Sequence, residues 1–250
     1  MNPEKSPLQA QRGRDELKIL AVDTSSQAAS CAWLEDGILV GEFFANAALT
    51  HSQTILPMVE GLLAGIRREI SEADLLAVSH GPGSFTGLRI GIGAVKGIAM
   101  ALSKPCLGIS TLKSLALNLS SHDGIIVPVM DARANQVYTA IFDGNGGEIT
   151  RICEDNALKI TELYKILLTY SQKSVILIGD GASLCQKAFA ELGLDVKTAP
   201  ANLLHQRAGS ICLAAAQAPP DEWVTAAALE PFYLRLPQAE RERLERQQNH

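Results

Sequence analysis

The chain has 250 residues, 47% hydrophobic and 20% charged, with only six Phe, four Tyr and two Trp, an aliphatic α/β-like composition that excludes disordered, collagenous and disulfide-stapled classes. Its formal net charge of -5 gives polyanions no general attraction, so RNA would have to be met through a local basic patch or a basic partner. Cys31, Cys106, Cys153, Cys185 and Cys212 are odd in number, widely spaced and without a CxxC pair, which points to reduced thiols and a cytoplasmic protein.

Residues 1–16 are polar and lack an apolar h-region; they read as a flexible leader and not as a signal peptide. No stretch offers the ~18 uncharged apolar residues of a membrane span, so no membrane partner is expected. From Lys18 the chain alternates strand and helix signals: strands over Lys18–Val22, Ala28–Leu34 and Ile38–Phe44, with Glu35-Asp36-Gly37 as a hairpin turn. A helix follows Thr50-His51-Ser52, with Ile55, Leu56, Val59, Leu62, Leu63 and Ile66 on one broad apolar face.

Leu75–Val78 reads as a fourth strand, and the turn His80-Gly81-Pro82-Gly83-Ser84 leads into a helix from Phe85 to Leu102 with Ser84 as N-cap. Gly87, Gly91, Gly93 and Gly97 should together cost this helix roughly 3–4 kcal/mol relative to alanine. Small residues four apart let another backbone approach closely, whether the protein's own sheet or another subunit. Gly87, Gly91, Ala94, Ile98 and Ala101 share one stripe, and Arg89 and Lys96 fall on the opposite face, where a solvated basic stripe is the default reading. Cys106–Ile109 is a fifth strand, followed by a helix to about Leu119.

The pattern then starts again. Setting Asp131 on Asp23, an offset of 108, aligns AVDTSSQAASCAWLEDG with VMDARANQVYTAIFDGN without a gap. Glu148–Cys153 supplies a strand, Leu158–Leu168 a helix, Val175–Ile178 a strand, and Ala182–Leu192 and Leu203–Gln217 two helices. Ala226–Leu236 is an apolar end segment, and 237–250 a polar tail. The expected division is a leader over 1–16, a first subdomain over 17–120, a second over 121–236 and the tail. Two such α/β subdomains with mixed sheets and a cleft between them resemble the actin-like ATPase fold, in which Asp23 and Asp131 would occupy the phosphate corners and Gly179-Asp180-Gly181 the adenosine side.

Several chemistries are excluded by spacing. There is no HExxH, no Walker A and no GxSxG, and the five His residues are scattered. The remaining candidates form a degenerate nucleotide site: Asp23, Thr24 and Ser25 for a hydrated Mg²⁺ and phosphate, Asp131 and Arg133 at the second corner, and Gly179 and Gly181. An Asp that ends a strand is more often only a turn former, and Asp131 with Arg133 is equally a surface ion pair.

ILAVDTSS at 19–26, HSQTILPMVEGLL at 51–63, SHGPGSFTGLRIGIGAVKGIAMAL at 79–102, VMDARANQVY at 129–138 and EPFYLR at 230–235 resemble the TsaB family, the bacterial partner proteins in tRNA threonylcarbamoyladenosine synthesis. The resemblance implies a noncatalytic subunit of the actin-like fold that pairs with its catalytic paralogue TsaD and works with the ATPase TsaE. TsaD transfers the threonylcarbamoyl group to the adenine beside the anticodon of tRNAs reading codons that begin with A; tRNA contact by this chain is thereby indirect. The paralogue holds its metal through an HxxxH pair, whereas His51 is followed four residues on by Ile55, so no metal site is expected. No cofactor is assigned outright; ATP or ADP with Mg at the complex interface is the candidate. The resemblance also implies that the helices beginning near His51 and Phe85 bind TsaD, or a second copy of the chain when TsaD is absent. By periodicity this surface comprises Leu56, Val59, Leu63, Gly87, Ile90, Gly91, Ala94, Val95 and Ile98, and Gly91→Leu is expected to break pairing while sparing the fold. The alternatives are an ATP-dependent kinase of the same fold and, more remotely, a glycoprotease-type peptidase; neither a catalytic base nor a nucleophile stands out for them.

Overall fold

The computed structural model describes residues 17–235; the leader and the polar tail expected from the sequence lie outside the described residues, as does Leu236. Two five-stranded mixed sheets repeat one topology. The first comprises β1 (Lys18–Asp23), β2 (Ala29–Glu35), β3 (Ile38–Ala45), β4 (Leu75–Gly81) and β5 (Cys106–Ser110) in the order β3-β2-β1-β4-β5. The second comprises β6 (Gly124–Asp131), β7 (Gln136–Asn145), β8 (Glu148–Lys159), β9 (Val175–Ile178) and β10 (Lys197–Thr198) in the order β10-β9-β6-β7-β8. In each, a three-strand antiparallel meander is extended by parallel strands on the far side of its first strand. This duplicated α/β architecture is the actin-like ATPase fold.

The helices are α1 (His51–Ile66), α2 (Phe85–Leu102), α3 (Thr111–Leu117), α4 (Ile160–Leu167), α5 (Ala182–Glu191) and α6 (Ala208–Gln217). One face of the first sheet packs Leu20, Val22 and Leu76 against α1 and α2, through Ile55, Val59, Leu62, Ile92 and Val95. Its other face packs Ile19, Ala21 and Leu75 against α6, through Ala208, Ile211, Cys212 and Ala215. The second sheet is likewise covered by α4 and α5 on one face, and by Leu112 and Leu115 of α3 on the other. Helix α6 therefore lies in the second half of the sequence but completes the first core, and α3, which precedes β6, packs on the second sheet.

Some boundaries differ from the sequence reading. Helix α6 starts at Ala208 instead of Leu203, because Asn118 Nδ2 donates to the carbonyls of Leu203 and His205, 2.8 Å each, and holds that stretch as a turn. Strand β8 runs on to Lys159, paired with Gln136, where a helix was expected from Leu158. Pro57 sits past the first turn of α1, where burial of Ile55, Val59, Leu62 and Leu63 offsets its missing N–H. Burial pushes the thiols of Cys31 and Cys185 up to about 12, which keeps them protonated and unreactive at neutral pH. Helix α2 has the length and hydropathy of a membrane span, yet it carries Arg89 and Lys96 and packs one side on β4.

Candidate functional site

Sheet strands that end side by side place their following turns together, and here the turn after β1 is where both halves converge. Asp23 is fully buried, and its oxygens are used internally: Oδ1 accepts from the Ser25 N–H at 2.8 Å and the Ser25 hydroxyl at 2.7 Å, and Oδ2 from the Ser79 hydroxyl. Burial raises its pKa, opposed by the hydrogen bonds from Ser79 and Ser25. Thr24 donates through Oγ1 to the Gly87 carbonyl at 2.7 Å. A Cβ at Gly87 would collide with the Thr24 carbonyl, and one at Gly91 with the Thr24 hydroxyl. The close packing expected of these glycines is thus met inside the protein: they let α2 rest on the β1–β2 turn.

Ser26 continues the junction. Its carbonyl lies 2.7 Å from His51 Nε2, which therefore carries a proton, and its hydroxyl donates to Asp180 Oδ2 at 2.7 Å. Asp180 Oδ1 in turn accepts from the Asp131 N–H at 3.0 Å. The first corner, α1 and the second half are joined in one hydrogen-bonded chain. Of these groups, the sequence reading placed Asp23, Asp131 and the glycines around Asp180, but not the roles of Ser26, His51 or Asp180 itself. The only sequence signal for Asp180 was its position in the Gly-Asp-Gly turn.

Asp131 accepts from its own turn, Arg133 N–H at 2.8 Å, and the exposed Arg133 guanidinium is 3.6 Å from its carboxylate. Arg133, Ala134 and Asn135 all adopt positive φ, 66°, 53° and 56°, an unusual run for non-glycine residues. Gly179, with φ 110°, and Gly181 bring β9 and α5 against the Val129 carbonyl, which accepts from the Gly181 N–H at 3.1 Å. Between the corners is a cleft of about 750 Å³, lined by the polar Ser25, Ser26, Asp131, Arg133 and Asp180 and by the aromatic Phe85, Tyr138 and Tyr233.

These residues do not fit a Mg–nucleotide held through Asp23. A metal ligand needs a free carboxylate oxygen, and Asp23 has both engaged and no access to the cleft. At the same corner, the Asp180 carboxylate accepts from the Ser26 hydroxyl, so that hydroxyl is also engaged within the chain. Thr24 is likewise buried against α2, and Gly179 faces the Val129 backbone. Ile55 is in the core, and His51 Nδ1 is buried without a partner. Among the described residues no three His, Cys, Asp or Glu side chains converge.

The end segment straps the cleft. Val224 bridges Cys106, the Lys96 ammonium donates to the Leu229 and Ala227 carbonyls at 3.0 and 3.3 Å, and the Phe232 N–H donates to the His80 carbonyl at 2.7 Å. Tyr233 packs on Phe85 and meets Arg89 Nε at 3.1 Å, and Arg235 donates to the Ala132 carbonyl. The cations of α2, which on spacing alone read as a solvated stripe, hold this strap.

The surface expected on α1 and α2 is rearranged. Val59, Leu63, Gly87, Gly91 and Val95 face the protein's own core, while Leu56 is 46% exposed and Ile90, Ala94 and Ile98 lie at the rim. The outward line of α2 is Thr86, Arg89, Gly93, Gly97 and Met100, the last 71% exposed. A period of 3.6 residues identifies stripes, and two glycine stripes were present; it does not say which one meets the sheet.

The protein-family model described as "TsaD: tRNA N6-adenosine threonylcarbamoyltransferase" matches residues 45–242. The Bacillus subtilis tRNA threonylcarbamoyladenosine biosynthesis protein TsaB is 29% identical over 92% of this chain and 100% of its own length, and that of Buchnera aphidicola 31% identical over 65% and 78%. A solved structure of YeaZ from Pseudomonas aeruginosa superposes with a TM-score of 0.72 at 28% identity, covering 87% of this chain and all of the other. By the reach of that model and the length shared with these relatives, the chain belongs to the TsaB family of tRNA threonylcarbamoyladenosine biosynthesis proteins.

Proposed function

We propose that this chain is a noncatalytic subunit of the threonylcarbamoyladenosine apparatus that docks on TsaD through the outward line of α2 and the adjoining start of α1, and that works with TsaE. The observation that carries this reading is Gly93 with Gly97. Each destabilises a helix by about 1 kcal/mol relative to alanine, yet a Cβ at either would have nothing within 4 Å. No contact among the described residues offsets that cost, whereas a helix from a partner laid along the line would do so. Met100 is exposed at the end of the same line and Leu56 is exposed on α1, and Ile90, Ala94 and Ile98 supply an apolar rim.

A noncatalytic role is supported by the internal use of Asp23 and by the Ser26–Asp180 contact, which leave the first corner no free group for phosphate chemistry. Nucleotide and tRNA chemistry belong in this reading to TsaD and TsaE, and no step runs through a nucleotide held in this cleft. The test is titration of labelled TsaD with the parent and with Gly97→Glu, alongside tRNA modification by TsaD and TsaE. The parent is expected to bind and to support modification. Gly97→Glu, with unchanged circular dichroism, is expected to lose binding by about a hundredfold or more, as burial of an unpaired carboxylate requires. Undiminished binding by the variant, or modification that proceeds equally well without the chain, would overturn the reading.

A further inference from the structure

The end segment crosses from one half of the protein to the other, and Phe232, Tyr233, Leu234 and Arg235 all line the cleft of about 750 Å³. On the near side its seat is built into the turn that precedes α2. The Phe232 N–H donates to the His80 carbonyl at 2.7 Å, and a Cβ at Gly81, whose φ is +137°, would collide with the Phe232 carbonyl, so the strap fits there because that residue is glycine. Upstream, the Lys96 ammonium fixes the carbonyls of Ala227 and Leu229. On the far side the hold is slighter: the Arg235 guanidinium donates to the Ala132 carbonyl, in the turn of the second half. A segment seated on backbone at one end and held by one side chain at the other has the build of a lid.

Between the two ends stands Tyr233. Its ring packs on Phe85 with centroids 4.9 Å apart, its hydroxyl accepts from Arg89 Nε at 3.1 Å, and the same guanidinium lies 3.9 Å from the centroid of the Phe85 ring. Arg89 is exposed and belongs to the outward line of α2. From this geometry we propose that residues 232–235 are a lid on the cleft whose latch, Tyr233 on Phe85 and Arg89, is set in the docking line of α2, so that a partner laid on that line locks the lid shut. The coupling to a partner rests on the docking reading above; the lid does not.

The direction of the coupling follows from what Arg89 already holds. A partner that displaced it would have to break a guanidinium that is both stacked and hydrogen-bonded. A partner that covers it removes water from a cation over a ring and from a hydrogen bond to a tyrosine, and both attractions are weak at an exposed site and stronger once desolvated. For the cation over the ring alone, desolvation raises the ratio of closed to open lid by about tenfold. Linkage makes the effect reciprocal: whatever holds the lid open weakens docking by the same factor.

The experiment places nitroxide labels on the full chain through Ala134→Cys, in the turn of the second half, and Leu234→Cys, in the strap, with the half-buried thiol removed by Cys153→Ser, and reads their separation by pulsed dipolar resonance. The labelled parent is expected to show one short distance. Arg235→Met, which cuts the far bond alone, should add a longer distance. Tyr233→Ala, which removes the latch, should raise the longer population at least tenfold over the parent, with unchanged circular dichroism. Saturating TsaD should shrink the longer population of Arg235→Met by about tenfold and leave that of Tyr233→Ala as it was. A Tyr233→Ala protein with the parent's single short distance overturns the lid. A longer population in Arg235→Met that bound TsaD does not reduce overturns the coupling while the docking reading stands. TsaD that does not bind at all overturns the docking reading and the coupling together, and the comparison of the free proteins then decides the lid. Should Tyr233→Ala fail to fold, a single short distance in Arg235→Met overturns it.

Discussion

Two glycines six residues apart on α2 should respond to the same substitution with opposite sign. Gly91→Ala gains about 1 kcal/mol of helix propensity, but the new Cβ collides with the Thr24 hydroxyl and lies 3.4 Å from Val78. That hydroxyl cannot swing away freely, since it donates to the Gly87 carbonyl at 2.7 Å, and Gly87 itself abuts the Thr24 backbone. Relief requires α2 to lift from the turn, which loses a hydrogen bond worth about 1 kcal/mol and adds overpacking of about 1–3 kcal/mol. The net is a loss of roughly 1–3 kcal/mol. Gly97→Ala meets nothing within 4 Å and should gain the ~1 kcal/mol of propensity. For a chain of this size each kcal/mol moves Tm by about 2–4 °C. Scanning calorimetry on the dilute, unpartnered protein should show Gly97→Ala above the parent and Gly91→Ala below it. A Gly91→Ala protein as stable as the parent would refute the packing account of Thr24, and a destabilised Gly97→Ala would refute the claim that its cost is unrecovered within the chain. For the same reason Gly91→Leu, expected from the sequence to spare the fold, should destabilise it severely.

Ser26→Ala removes the hydrogen bond to Asp180 across the cleft; because Asp180 is exposed and rehydrates, the loss should be only about 1 kcal/mol, read as a small fall in urea midpoint. Buried Asp23 has its pKa raised above the ordinary 3.8, chiefly by burial. The folded state therefore holds a proton that the unfolded state has released, so this contribution is present below about 3.8 and is lost as pH rises through the folded value. Asp23→Asn should abolish that slope, and a parent that instead gains on the variant between pH 4 and 7 would contradict it. Lys96→Met should free the strap at Ala227 and Leu229 while leaving the sheets intact, seen as faster hydrogen exchange confined to 227–235; uniform protection would show that the ammonium is dispensable there.

What the sequence disclosed follows from what is local. The duplication was legible because an Asp ending a buried strand and an acidic-glycine hairpin recur in fixed order, and that order dictates the meander. The α2 helix was legible from its N-cap Ser84, which accepts from the Gly87 N–H at 3.2 Å. The side on which α2 packs was not, because Gly87 and Gly91 form one stripe, Gly93 and Gly97 another, and only the position of Thr24 distinguishes them. The chain from His51 through Ser26 to Asp180 and Asp131 was invisible because its members are ordinary polar residues as many as 154 positions apart. Lys96 and Arg89 showed their charge, but their partners are backbone carbonyls and a tyrosine on a segment more than a hundred residues away.

The crossing of α6 onto the first sheet constrains how the protein comes into being. Translation delivers β1 to β5 early, yet Ile19, Ala21, Leu34, Leu75 and Ala77 on one face of that sheet wait for Ile211, Cys212 and Ala215. The amino-terminal half therefore leaves the ribosome with an open apolar face and cannot be finished until the carboxy-terminal half has emerged. Long-range closure of this kind slows folding and prolongs the aggregation-prone stage. The two repeats, though similar in pattern, are consequently not two independently foldable pieces, and splitting the gene at the repeat boundary would yield fragments that must meet each other to fold.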